Sequence, residues 1–110
     1  MTPSPEAPLT VRGFQDLIER TFGAKDRARG LAGTFMWFAE ETGELARALK
    51  RGAADPANLR EEFADVFAWL STLASIAGVD LAEAATEKYG RGCPRCDAVP
   101  CTCPEKPAKG

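Results

Sequence analysis

The stretch WFAEETGELARAL, residues 37–49, decides the fold. Leu31, Phe35, Phe38, Thr42, Leu45 and Leu49 recur at steps of three and four, which predicts a helix over about 31–51 closed by Gly52. Yet Glu40, Glu41 and Glu44 fall within about one turn of it. Like charges three or four apart on a helix repel by about 0.2–0.5 kcal/mol per pair. No Lys or Arg lies within four residues of Glu41, and Arg47 is the first base to follow. Something else has to offset the crowding.

The neighbouring segments extend the pattern. Asp55 followed by Pro56 is a helix start, an N-cap with proline at the first helical position, and the apolar period runs from there to a stop at Gly78. Upstream, Thr10 caps a helix to about residue 22, with Phe14, Leu17, Ile18 and Thr21 on one face and Gly23 past its end. The charged connector AKDRARG, 24–30, is able to continue as helix. Downstream, Asp80 and Glu83 have capping-box spacing for a short helix ending at 89–90. No strand-like alternation and no internal repeat are present. The expectation is an all-α helical hairpin bundle of about four helices over residues 10–90. A proline-rich flexible lead precedes it at 1–9, and a Cys-rich tail follows at 91–110. Val66, Phe67, Trp69, Leu70, Leu73 and Ile76 leave the end of the third helix almost without a polar side. Either the first and fourth helices cover Phe67 and Ile76, or a second subunit does; the small core of a short chain favours a homo-oligomer.

At 110 residues the chain has the length of one domain, and 45% hydrophobic with 27% charged residues is an ordinary globular balance. A net charge of -2 argues against a nucleic-acid binder. No basic start leads into an apolar run, so neither signal peptide nor membrane span is expected, and the compartment expected is the cytoplasm. There, four cysteines in the last eighteen residues point to metal or redox chemistry more than to disulfides. Histidine is absent, so catalysis has to rest on carboxylates, Lys, Tyr or Cys.

The third helix opens with LREEFADVF, where Glu62 and Asp65 stand three apart as Glu41 and Glu44 do. Folding the two helices back about Ala53 places positions equidistant from it at equal height: Glu44 beside Glu62, Glu41 beside Asp65, Trp37 beside Trp69. Packed axes lie about 8–10 Å apart and rows three apart rise about 4.5 Å, so four carboxylates converge. Two unit charges 4 Å apart cost about 4 kcal/mol at an effective dielectric near 20. Single acidic pairs are common on solvated helix faces; two pairs in register beside apolar stripes point to a cation. Ligands that are all oxygen select Mg²⁺ or Mn²⁺ before Zn²⁺.

At these residues the chain resembles the MazG-like nucleotide pyrophosphohydrolases of the all-α NTP pyrophosphatase group. Their signature is E-E-x-x-E, a spacer, then E-x-x-D; here it is Glu40, Glu41, Glu44, then Glu62 and Asp65, with residues 45–61 between. KDRARGL and EEFADVFAWL match as well. The resemblance implies Mg²⁺-dependent hydrolysis of a nucleoside triphosphate to monophosphate and pyrophosphate by a dimer or tetramer. It assigns the metal to Glu41, Glu44, Glu62 and Asp65; Glu41 or its neighbour Glu40 is the expected general base. A cation should also touch the phosphates. Lys88 matches a lysine on the family's last helix, Arg91 follows it, and Lys25, Arg27 and Arg29 are weaker candidates. A solvated surface base is the alternative for each and the favoured one for all but Lys88. Trp37 and Trp69 either stack on a nucleobase or pack the hairpin's end. After Lys88 an Asn and further bases found in relatives give way to GRGCPRC, which leaves base and sugar preference open. Phosphoribosyl-ATP pyrophosphohydrolases share the acidic logic.

The tail CPRCDAVPCTCP spaces Cys93, Cys96, Cys101 and Cys103 as C-x2-C-x4-C-x-C. Its first pair is a zinc-knuckle spacing, whereas the second is shorter than a zinc ribbon's. Zinc on four thiolates is the leading reading; free thiols and a redox pair at Cys93 and Cys96 are the alternatives. The competing function is a non-catalytic helical oligomer whose zinc tail recruits protein or nucleic acid.

Overall fold

The computed structural model describes residues 8–105. Most of the expected lead at 1–9, and residues 106–110 of the tail, lie outside that span. Among the described residues the elements are α1 (Val11–Arg51), a 3-10 turn (Gly52–Ala54), α2 (Pro56–Ile76) and α3 (Leu81–Tyr89), with no strand. The class is all-α, with three helices where about four were expected. No single helix among the described residues is long and apolar enough to cross a membrane.

The difference in count lies in α1. Thr10 caps it as expected, its hydroxyl accepting a bond from the Gly13 amide at 2.9 Å. Gly23, the expected stop, is instead buried inside the helix. A mid-helix glycine costs only about 1 kcal/mol, too little to end a helix that Glu19 and Arg27 bridge with an ion pair across it. The break comes at Gly30, whose φ of 84° and ψ of 172° fall in a region that essentially only glycine occupies. Two arms result, 11–29 and 31–51.

The remaining ends follow their sequence signals. Gly52 closes α1 at φ 52°, and Lys50 and Arg51 stand in the last turn, where the helix dipole favours cations. Asp55 accepts from the Asn58 amide at 3.2 Å, and Asp80 from the Glu83 amide at 2.9 Å. The 31–51 arm and α2 thereby form the antiparallel hairpin.

The buried residues among the helices are mostly small: Thr34, Ala48, Ser71 and Ala74. Helices approach over such side chains while the aromatics flank them. Phe14 stacks on Phe67 at 4.7 Å between centroids, so the first arm covers Phe67 within the chain. Buried Gln15 ties the same arm to the α2–α3 turn. Its amide nitrogen donates to Ser75 Oγ (3.1 Å) and the Val79 carbonyl (2.8 Å), and its oxygen accepts from the Leu81 amide (2.9 Å). Phe22, Leu31, Phe35, Met36, Leu49, Phe63 and Leu70 stay exposed.

A β-carbon at position 30 would meet no atom within 4 Å, so only backbone strain opposes it. Gly30→Ala is expected to lower the unfolding free energy by about 1–3 kcal/mol, measured by urea titration. An unchanged midpoint would mean that α1 is not broken there in solution.

Candidate active site

Helix geometry brings three of the four expected metal ligands together. Glu41 from the 31–51 arm and Glu62 with Asp65 from α2 each offer a carboxylate oxygen, and all three lie within 4.8 Å of one another. One turn along, Trp37 and Trp69 stack with centroids 6.1 Å apart and planes 9° from parallel, which is the register predicted about Ala53. Glu62 Oε2 is buried with no hydrogen-bond partner. The Glu41 pKa is raised, first by burial, then by the charges of Glu62 and Asp65, a hydrogen bond with Glu62 and the charge of Glu44. Burial and neighbouring like charge thus shift Glu41 toward its protonated form. A buried unpaired oxygen beside two further carboxylates fits a hard divalent ion.

Glu44 stands apart from the three. Its carboxylate pairs with Arg47 one turn on, so the base too distant to relieve Glu41 relieves Glu44 instead. Glu40 is exposed and outside the cluster.

Beside Asp65 opens a cavity of ≈ 360 Å³, walled by Phe22, Lys25, Asp26, Arg29, Trp69 and Thr72 among others. Asp26, only 4% exposed, is the residue that sequence reasoning missed. Its carboxylate accepts from Arg29 Nη1 at 3.0 Å and from Thr72 Oγ1 at 3.0 Å. Arg29 also donates to Thr34 Oγ1 at 3.2 Å and lies over the Trp69 ring at 4.9 Å. This network bridges both arms of α1 and α2. A signal was present: Ile18, Phe22, Asp26 and Arg29 share one helical stripe, so Asp26 occupies a core position once the helix runs past Gly23.

The four cysteine sulfurs form a second cluster, each within 4.8 Å of the others. Hydrogen bonds from Thr102 lower the Cys96 pKa to about 5, while bonds to Cys101, Cys96 and Cys93 push Cys103 up to about 12. Lys88 and Tyr89 share a ≈ 580 Å³ cavity with Cys93, Cys101 and Cys103. Arg91 Nε lies 3.9 Å from Asp97. The structure therefore places Lys88 and Arg91 at the tail, and neither lines the cavity beside Asp65. Arg27 is engaged with Glu19.

Residues 30–97 match the family model for the MazG nucleotide pyrophosphohydrolase domain. That span takes in the acid cluster, both tryptophans and the first two cysteines. No curated protein matches the chain.

Linkage turns the raised Glu41 pKa into a pH dependence. The shift stabilises the fold while the carboxyl is protonated, below its ordinary unfolded value, and that contribution is lost as the pH rises through the raised folded value. In metal-free protein, Glu41→Gln is therefore expected to flatten the decline of urea stability above the ordinary carboxylate range. Parallel wild-type and variant profiles would remove the held proton.

Proposed function

Because the chain belongs to the MazG nucleotide pyrophosphohydrolase family, we propose that it hydrolyses nucleoside triphosphates, deoxy or non-standard ones foremost, to monophosphate and pyrophosphate. The observation that carries this reading is the cluster of the Glu41, Glu62 and Asp65 carboxylates within 4.8 Å, with Glu62 Oε2 buried and unpartnered. These three hold Mg²⁺ or Mn²⁺, and Glu44 joins them by leaving Arg47, an exposed pair worth about 0–1 kcal/mol. When bound, the ion supplies neutralisation of the triphosphate and a lowered pKa for the attacking water.

The chain's own residues do the rest. Glu41 is the first candidate for the base that takes the water's proton. Glu40, exposed beside it, is the second candidate. The cavity next to Asp65 receives the nucleoside, with Trp69 as an aromatic wall that Trp37 backs and Lys25 as the cation for its phosphates, while Arg29 stays held by Asp26. Lys88, matched to a lysine of the family's last helix, reaches phosphate from a neighbouring subunit, with Arg91 close behind it. Residues 10–90 form this catalytic unit, and the cysteine-bearing segment 91–110 carries zinc, which takes no part in hydrolysis.

The working form is a homo-oligomer, a dimer or tetramer. A radius of gyration of 16.8 Å exceeds the about 13 Å of a compact chain this long. The exposed Phe35, Met36, Phe63 and Leu70 supply the surface that association buries. Nucleotide substrates and reduced thiols fit a cytoplasmic enzyme.

A panel of nucleotides with Mg²⁺, assayed for pyrophosphate, tests the proposal. At least one should release it, and release from none by folded protein would favour a helical scaffold. Glu44→Gln and Asp65→Asn are expected to lower turnover by more than about a hundredfold, beyond what outer-shell partners of a metal contribute, with the helical circular dichroism intact. Normal turnover in either variant would remove that residue from the site.

A further inference from the structure

The cysteine cluster is not used by the hydrolytic reading and has chemistry of its own. We infer that residues 92–103 fold around a single zinc ion held by Cys93, Cys96, Cys101 and Cys103 as a closed tetrathiolate. Zn–S bonds of about 2.3 Å at tetrahedral angles place sulfurs about 3.8 Å apart. Cys93 and Cys103 sulfurs are 3.8 Å apart, and those of Cys96 and Cys101 are 3.9 Å apart. These two pairs share no sulfur, and all four sulfurs lie within 4.8 Å of one another. A disulfide would need about 2.0 Å, so the spacing is that of ligands around a common centre.

The backbone is shaped for the same purpose. The Asp97 amide donates to the Cys93 carbonyl at 2.7 Å, and the Cys93 amide to the Ala98 carbonyl at 3.1 Å. Closing that loop sets Asp97 at φ 56° and Gly92 at φ 106°. A β-carbon on Gly92 would meet the Ala98 carbonyl oxygen at 2.7 Å. Amides also point at sulfur: Thr102 N to Cys96 Sγ at 3.4 Å, and Cys103 N to Cys101 Sγ at 3.3 Å. Such bonds stabilise thiolates, the form that binds metal once each sulfur gives up its proton.

Nothing apolar holds this loop together. Val99 is 82% exposed and Pro94 and Pro100 are exposed as well, so the loop has no core of its own and a metal supplies the missing staple. Lys88 and Arg95 wall the cavity shared with Cys93, Cys101 and Cys103, placing positive charge beside a dianionic centre. Four sulfurs without carboxylate or water select a soft ion over Mg²⁺, and Cys101, open to solvent, favours redox-inert zinc over iron. With all four positions filled by protein, the site is structural.

The test uses the full chain purified without chelator. Elemental analysis should find about one zinc per chain. Cobalt exchanged into the protein should give the intense sulfur-to-metal charge transfer and red-region bands of a tetrahedral tetrathiolate. The double variant Cys96→Ser/Cys103→Ser should lose both signals and keep Mg²⁺-dependent pyrophosphate release. Bound iron with its red colour, metal retained in the double variant, or a pale octahedral cobalt spectrum would each overturn the assignment. Should the variant not fold, mercurial titration of wild type replaces it: zinc released in step with thiol modification supports the site, and thiols titrating without zinc release refute it.

Discussion

Repulsion among Glu41, Glu62 and Asp65 is the constraint to which the rest of the structure answers. At an effective dielectric near 20, one pair of such charges 4 Å apart costs about 4 kcal/mol, against a total stability of about 5–15 kcal/mol for a domain. The hairpin holds the three within 4.8 Å regardless. It does so because the turn is short and firmly capped, by Gly52 on one side and by Asp55 and Pro56 on the other. The stacked indoles of Trp37 and Trp69 lock the same register one turn away. Held in place by rigid helices, the acids cannot move apart. Crowding of this kind shifts Glu41 toward its protonated form and suits a cation.

The break at Gly30 is the second half of this arrangement. An unbroken α1 would continue straight past the hairpin; the break brings the 11–29 arm back across α2. Asp26 and Arg29 then reach Thr72, Thr34 and Trp69 and wall the cavity beside Asp65. A buried ion pair of this kind is a costly device. Its hydrogen bonds to two threonines satisfy the remaining groups, and it fixes the geometry of the cavity rather than adding stability.

The hairpin, its register and three of its acids were legible in the sequence because they depend on strict quantities: 100° per residue, the rise per turn, and turn residues with one meaning. The position of the break was not. Gly23 and Gly30 carry the same local propensity, and what separates them is burial, which puts Gly23 in a contact and leaves Gly30 at φ 84°. Partner choice by long side chains was equally hidden. Spacing places Glu44 at the height of Glu62 but does not say that Arg47 takes its carboxylate. Spacing likewise names four cysteines without showing that backbone bonds between Cys93 and residues 97 and 98 close the loop that gathers them.

Two clusters of candidate metal ligands on one small chain raise the question of how each would select its ion. Affinity at nitrogen, oxygen and sulfur sites generally favours zinc over lighter, harder ions, so an open carboxylate cluster is vulnerable to zinc. Ligand type resolves this. Sulfur at 93, 96, 101 and 103 binds zinc far more strongly than three oxygens do, and it cannot hold magnesium. On the proposed reading the thiolate knot takes up the soft ion, while Glu41, Glu62 and Asp65, with no sulfur or imidazole among them, suit a hard one. The absence of histidine from the whole chain sharpens the division, because no ligand of intermediate character remains to blur it.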